Sequence, residues 1–338
     1  MAEGQLSRRA LRGMGVAGSL TLLAGCSRKG ALLATRRGDL PPAWLKRLPD
    51  DWQVRWLDGA ARVQEACVAP MAERPALAQL SDGWASALPR QSWEPFGHGP
   101  LLGRLAPAAA PASRLFGEEV QPPLAFPWSV NPWVLVLRDR SDLARRAHLG
   151  WSLLLEPSLT GKVVLPSSPR VVMALVREDR HRLRQLRRQV LAHDDRNGMQ
   201  LLLDGPAEAA VLPRQQVVPL LRRDPRLTAV LPEDGGPVAW SLLLRPAGTS
   251  PSPPREWLEA LLQPPLLARV LAAGWVPPLP RPALSAAVAG FPPSLVRLLL
   301  PPEAVQSRWR DLPPLPPDNQ RRLQELWDDT RDGPATPA

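Results

Sequence analysis

The chain contains no Tyr, two Cys and four His, and its lysines are confined to Lys29, Lys46 and Lys162. Each scarcity removes a class of chemistry. Without Tyr, a ferric site built from tyrosinates is excluded. The histidines (His98, His148, His181, His193) have no metal-ligand spacing, and C-x-x-C and H-E-x-x-H are absent, so neither a metal nor a cofactor is expected. G-x-S-x-G and the P-loop are also missing, and Cys67 has no His close in sequence, so no enzyme signature remains. No apolar run approaches the ~20 residues of a membrane-spanning helix.

Arginine and proline are abundant instead. Of 338 residues, 43 are Pro and 13 Trp; 42 basic residues against 32 acidic ones give a net charge of +10. With 44% hydrophobic and 22% charged residues the chain has the composition of a folded protein, and its length suggests two domains at about 150 residues each. A basic surface favours anionic membranes or polyanions. No nucleic-acid motif accompanies the charge, so no nucleic-acid partner is expected.

Residues 1–26, MAEGQLSRRALRGMGVAGSLTLLAGC, read as an export signal: a charged start, a short apolar run and a small-residue site ending in Cys. Ser7-Arg8-Arg9-Ala10-Leu11-Arg12 resembles a twin-arginine signal, and Leu23-Ala24-Gly25-Cys26 resembles a lipobox. Small residues let a peptidase approach the backbone, and Cys26 Sγ would accept the anchoring lipid. Gly13-x-Gly15-x-x-Gly18 matches a dinucleotide fingerprint, but no strand precedes it and the segment is expected to be removed. Loss of Arg8, Arg9, Arg12 and Glu3 would take the net charge from +10 to about +8. Lipidation of Cys26 would leave Cys67 alone, a thiol expected in the core, with no disulfide possible.

The most informative stretch of the remainder is Trp151–Leu175. Trp151, Leu154 and Leu155 recur at helical spacing up to Pro157; Thr160-Gly161 turns the chain into Val163-Val164-Leu165, a strand buried on both faces. Pro166–Pro169 breaks the strand, Ser168 is placed to cap a helix, and Val171, Val172 and Leu175 return at helical spacing. Ligands of open α/β sheets sit beyond strand carboxyl ends, so Ser167, Ser168 and Arg170 occupy either binding positions or a plain strand-to-helix connection.

The rest of the chain reads as more of the same alternation. Strands are expected at Ala31–Ala34, Trp52–Trp56, Leu201–Leu203, Ala210–Leu212 and Thr228–Leu231, and a strand running through Leu124–Leu137. Helices are expected near Ala43–Leu48, at Ala60–Met71, Arg177–His193, Glu256–Leu271 and Asn319–Thr330, with a loop over Gly97–Pro111. The arginine face of Arg177–His193 reads as solvated surface. Asp82 either caps the helix after Leu80-Ser81 or faces a cleft.

W-x-x-L-x-x-P-x-L-x-G-K-V-x-L, followed by a short polar loop, Pro-Arg and a helix, resembles the spermidine/putrescine-binding class of bacterial extracellular solute-binding proteins. Leu80–Ala85, Leu124–Leu137 and Glu233–Ser241 with Gly274-Trp275-Val276-Pro277 are similar to further segments of that family, in the same order. The resemblance implies an α/β, two-lobe periplasmic-binding-protein fold of type II with the ligand cleft at the hinge: residues 27–125 plus 232–338 as the first lobe and 126–231 as the second. It implies a monomeric, lipid-anchored component of an ABC importer on the periplasmic or outer-surface side of the membrane. Its partners would be a small-molecule solute and the permease subunits. In the family the loop after the first strand faces the ligand, which makes Arg36, Arg37 and Asp39 candidates with Asp82. Trp128 would offer a ligand-stacking face or lie buried under the hinge, and Trp240 would stand beside the ligand. Where the family has an acid this chain has Ser241 or Leu242, and its Ser167-Ser168-Pro169-Arg170 loop lacks the family's flanking acids. A polyamine buries at least two ammonium groups, each needing a carboxylate. The residues therefore favour an anionic or zwitterionic solute over a polyamine. The alternative is a lipoprotein of this fold that carries no solute and acts as a scaffold or partner-binding surface.

Overall fold

A computed structural model describes residues 30–195 and 197–330. The export-signal reading of residues 1–26, including Cys26, lies outside the described residues. Eleven strands are present among them: β1 (Ala31–Arg36), β2 (Trp52–Leu57), β3 (Leu77–Ser81), β4 (Trp93–Glu94), β5 (Ala125–Arg138), β6 (Val163–Leu165), β7 (Val190–His193), β8 (Ala209–Pro213), β9 (Leu227–Val230), β10 (Gly236–Pro246) and β11 (Trp309–Arg310). The order β2-β1-β3-β10-β5-β8-β6-β7 runs through both halves of the molecule, with β4 and β11 on β10 and β9 on β5.

The 14-residue β5 joins the two lobes. Its first half, Ala125–Pro132, pairs antiparallel with β10, and its second half, Trp133–Arg138, lies between β8 and β9. Pro127 and Pro132 lack the N–H a ladder needs, and the pairing is interrupted by a bulge between Ser241 and Leu242, opposite Pro127 and Ser129. The parallel ladders of β1 with β2 and β3, and of β6 with β7 and β8, belong to one lobe each. Burial on both faces explains the unbroken apolar run of β6, whose three residues are all buried.

Among the described residues three apolar cores flank the sheet. On one face a single core spans both lobes, from Leu33 and Leu77 to Val164, Ala210 and Leu212, and is filled by the helices between Arg255 and Leu299. It contains the stacked pair Trp44 and Trp257, 4.2 Å apart, each donating its indole N–H to the other's carbonyl. On the opposite face the cores are separate: Ala34, Val63 and Ala85 in the first lobe, Val163, Val172 and Leu186 in the second. The lobes are therefore joined along one face and parted along the other.

Several elements differ from the sequence reading. The expected division put the C-terminal helix in the first lobe, but Pro317–Asp329 buries Leu323, Leu326 and Trp327 in the second-lobe core. The helix expected at Arg177–His193 is Arg180–Gln189, followed by strand β7. Arg177 and Glu178 have left-handed φ of 55° and 58°, so the helix begins only at Asp179, which accepts the Arg182 N–H at 2.7 Å. Leu201–Leu203 lies in a helix, Gly198–Leu203, that packs Leu202 into the shared core against β6 and β8. Pro264-Pro265 splits the expected Glu256–Leu271 helix into Arg255–Leu261 and Leu266–Ala272. Short helices Gly99–Leu102 and Ala110–Ser113 stand in the expected loop.

The arginine face of Arg180–Gln189 is not simply solvated. Arg187 stacks on Trp327 at 4.1 Å and donates to its carbonyl, Arg184 donates to the Asp329 carbonyl, and Arg180 pairs with the Asp329 carboxylate. Cations at a helix carboxyl end satisfy its last carbonyls and oppose its dipole, so this face clasps the C-terminal helix. Trp151 has a comparable role at the crossing. The helix Ala147–Leu155 turns at Gly150, and Trp151 donates to the Gly235 carbonyl at 2.7 Å while its ring lies on Gly236.

Candidate functional site

The carboxyl ends of β1, β3 and β6 meet where the lobes part. At the end of β1, Arg36 donates through Nε (3.0 Å) and Nη2 (2.7 Å) to Asp39 Oδ1, a pair closed by the turn at Gly38, whose φ of 86° suits glycine. Burial raises the Asp39 carboxyl despite this guanidinium. Arg37 turns away and lies over Trp56 at 5.1 Å, so it does not join the others. Across the gap, Ser167 N–H donates to Asp195 Oδ1 (3.0 Å) and Asp195 N–H to Ser167 Oγ (3.2 Å). Asp195 is near enough to Arg36 to favour its charged form, which sets these two loops against each other.

Asp82, Trp240 and Arg170 form a second group. Asp82 opens the helix Asp82–Ser86 and is 4% exposed; its Oδ1 accepts the Trp240 main-chain N–H at 3.2 Å. Burial pushes the Asp82 carboxyl up to about 7, against the amides of Trp240 and Gly83, and nearby Asp311 adds to the rise. The indole N–H of Trp240 donates to Asp311 Oδ1 at 2.7 Å. Ser168 caps the helix Pro169–Leu175 by accepting the Val171 N–H. Arg170, in that helix's first turn, donates to the Pro313 carbonyl; partial burial lowers its pKa below the usual arginine value, and nearby Asp82 acts to raise it. A cavity of about 350 Å³ lies beside these parts, lined by Gly83 and Ala87 of the first lobe, Ser168, Arg170 and Met173 of the second, Leu312 and Leu315 of the segment after β11, and Gln320, Leu323, Gln324 and Trp327 of the C-terminal helix.

At the hinge a chain of polar groups crosses three segments. Val276 N–H donates to Ser129 Oγ (3.1 Å), Ser129 to Asn131 Oδ1 (3.0 Å), and Asn131 Nδ2 to Ser241 Oγ (2.9 Å). All three side chains are buried. Trp128, proposed from sequence either to stack on a ligand or to lie beneath the hinge, is fully buried between Trp44 (5.3 Å) and Trp275 (4.8 Å) and presents no face to the cavity.

Of the ten sequence candidates only Ser168 and Arg170 line the cavity; Asp82 and Trp240 are hydrogen-bonded to each other, buried, one residue behind its Gly83 wall, and Arg36 and Asp39 stand opposite Ser167. Ser241 is in the hinge chain, and Arg37 and Trp128 stand apart. Three relevant residues were missed. Asp195 and Asp311 come from segments with no local signal. Arg214, fully buried at the carboxyl end of β8, donates to the carbonyls of Val130 (2.7 Å), Leu298 and Leu299 (both 3.3 Å). Burial pushes it down to about 9, still charged at neutral pH. Its place after a strand was the signal that could have found it. Among the described residues no group of His, Cys, Asp and Glu could hold a metal, and no helix is long and apolar enough to cross a membrane.

No protein-family model and no curated protein matches the chain by sequence. Solved structures do match in shape. A spermidine/putrescine ABC transporter protein of Listeria monocytogenes is 16% identical, with 90% of this chain and 99% of that one covered and a TM-score of 0.66. The TpPotD lipoprotein of Treponema pallidum is 14% identical over 89% and 99%, with a TM-score of 0.65. An oligosaccharide periplasmic-binding protein of Synechococcus is 16% identical over 89% and 92%, with a TM-score of 0.61. The chain has the two-lobe α/β fold of periplasmic substrate-binding proteins. Since neighbours described by unlike solutes share it, the fold leaves the solute to the side chains.

Proposed function

We propose that this chain is the solute-binding component of an ABC importer, held outside the membrane by lipid on Cys26, and that its cleft passes a small anionic or zwitterionic solute to the permease subunits. The observation that carries the reading is Arg170: a guanidinium on the cavity wall whose hydrogen-bond partner is a neutral carbonyl. A carboxylate, phosphate or sulfonate would be a stronger partner. The expected acids are meanwhile engaged, Asp39 by Arg36 and Asp82 by the Trp240 amide, which argues against burying a polyamine there.

One observation favours the scaffold alternative, because the chain's own Pro313 and Asp311 already take the polar groups of Arg170 and Trp240. A thermal-shift screen of the exported protein separates the two. A ligand that binds only the native state raises its apparent stability by about 2.7 kcal/mol at a hundred times Kd. Stabilisation by carboxylates or zwitterions, lost in Arg170→Gln, supports the importer reading. Micromolar spermidine binding abolished by Asp82→Asn or Asp39→Asn would sink the solute preference, and a screen with no hits would leave the scaffold.

A further inference from the structure

We propose that the edge of the first-lobe sheet at which β1 begins is a bilayer-contact surface, on which Val68 and Met71 enter the lipid interface beside the anchor. This rests on the lipid-anchored reading above and goes beyond it. Only Ser27, Arg28 and Lys29 separate Cys26 from Gly30, the residue that precedes β1. At ~3.3–3.6 Å per residue the four steps from Cys26 to Gly30 reach at most about 14 Å. A lipid on Cys26 therefore keeps the start of β1, and whatever shares its edge, against the bilayer.

The sheet decides what shares that edge. β1, β2 and β3 run parallel, with Ala31 opposite Trp52 and Leu33 opposite Leu77, so all three begin there; β10 ends there, because Leu244 pairs antiparallel with Ala78. The helix Ala60–Cys67 returns from the far end of β2, as a crossover between parallel strands must. Its connection to β3 carries Val68, 48% exposed, and Met71, 64% exposed. Arg74 pins this connection to the sheet, donating through Nε to the Ala69 carbonyl (2.6 Å) and through Nη1 to the Ala247 carbonyl just past β10 (2.8 Å). The Met71 methyl lies beside Gly248. Exposed apolar side chains held at a membrane surface gain by entering the boundary between headgroups and acyl chains. Charges on the neighbouring segments balance, Lys46, Arg47 and Arg74 against Asp50, Asp51 and Glu73, so attraction to anionic lipid comes from Arg28 and Lys29 beside the anchor. Any protein partner at this edge would have to displace the bilayer that the anchor brings to it, which makes lipid the occupant. In this pose the six residues of β1 carry Arg36 and the loop with Asp39 about 20 Å farther from the bilayer, and the cleft is presented to solute.

The test places an environment-sensitive fluorophore on Met71→Cys in the full lipidated protein, reconstituted in vesicles of phosphatidylethanolamine and phosphatidylglycerol with and without a nitroxide on the acyl chain near the headgroup. Buried Cys67 does not compete for the label. Leu191→Cys, at an exposed position on β7 of the second lobe, is the control. The nitroxide should quench the probe at position 71 at least about twofold more than the probe at 191, with a blue shift at 71 alone. Val68→Cys should behave like Met71→Cys. Equal quenching at 68, 71 and 191 in protein that floats with the vesicles would overturn the contact surface and leave the anchor. Wild-type protein that carries no lipid and stays free of the vesicles would overturn the anchor and this surface together.

Discussion

Replacing Asp82 by Asn should remove a pH dependence that the wild-type fold carries. In the native state burial and Asp311 lift the Asp82 carboxyl to about 7, whereas in the unfolded chain an Asp titrates near 3.9. Between these values the native state holds more protons than the unfolded one, so stability falls as pH rises. The loss begins above about pH 4 and is complete above about pH 7. A difference of about 3 units corresponds to roughly 4 kcal/mol at 1.36 kcal/mol per unit. With the side chain 4% exposed, little solvent screening reduces it. Asn keeps an oxygen for the Trp240 N–H and can donate toward Asp311, so the variant should fold and be the more stable form at pH 8. The assay is urea unfolding followed by tryptophan fluorescence across about pH 4–8, reading the difference between the two proteins. A difference that stays constant over that range would refute the argument, because it would mean Asp82 titrates alike folded and unfolded.

Gly235→Ala should cost roughly 2 kcal/mol or more in the same assay, since a Cβ there would stand 2.1 Å from the Arg308 carbonyl oxygen at a φ of +79°. Gly38→Ala, at φ +86° with nothing within 4 Å, should lose only about 1 kcal/mol. Arg187→Met should cost about 1–2 kcal/mol through the lost Trp327 contacts, and amide exchange in Pro317–Asp329 should accelerate selectively. Cys26→Ala should release the exported protein from the membrane, and fractionation showing it retained and uncleaved like wild type would contradict the lipobox reading.

How legible each part was depended on whether its determinants were local. The β6-to-helix unit could be read because a three-residue apolar run, a proline break and the Ser168 cap all act within a few residues. Val190 and Leu191 fitted the stripe of the preceding helix as well as a strand, and only the free edge of β6 decides between them. Trp128 could not be placed from sequence, since a crossing strand carries aromatics on either face and the tryptophans that enclose it lie at 44 and 275. Asp311 reaches Trp240 across 71 residues, a contact made by the segment after β11 and by no neighbouring motif. Ser241 and Leu242 directly follow Trp240, and an acid brought to it from elsewhere in the chain could not be foreseen.

The distribution of contacts determines how such a cleft can open. On the closed face the lobes share one core, with Trp128 against Trp44 and Trp275, and Arg214 bound to carbonyls of β5 and of the helix Pro293–Leu299. Pulling these apart would strip a buried guanidinium of its acceptors, and no acid partners it among the described residues; an uncompensated buried charge costs about 3–5 kcal/mol. On the cavity side the segment after β11 is held through Trp240 to Asp311 and Arg170 to Pro313, contacts of about 1–3 kcal/mol each for bonds to charged groups. If the lobes part, the weaker side is expected to yield first, with rotation about the Trp128 and Arg214 face and release of the segment from Asp311 to Pro313; amide exchange that is no faster in that segment than in the shared core would refute this. On the proposed function, a solute that offered Arg170 a carboxylate in place of a carbonyl would supply the differential affinity that such a shift requires.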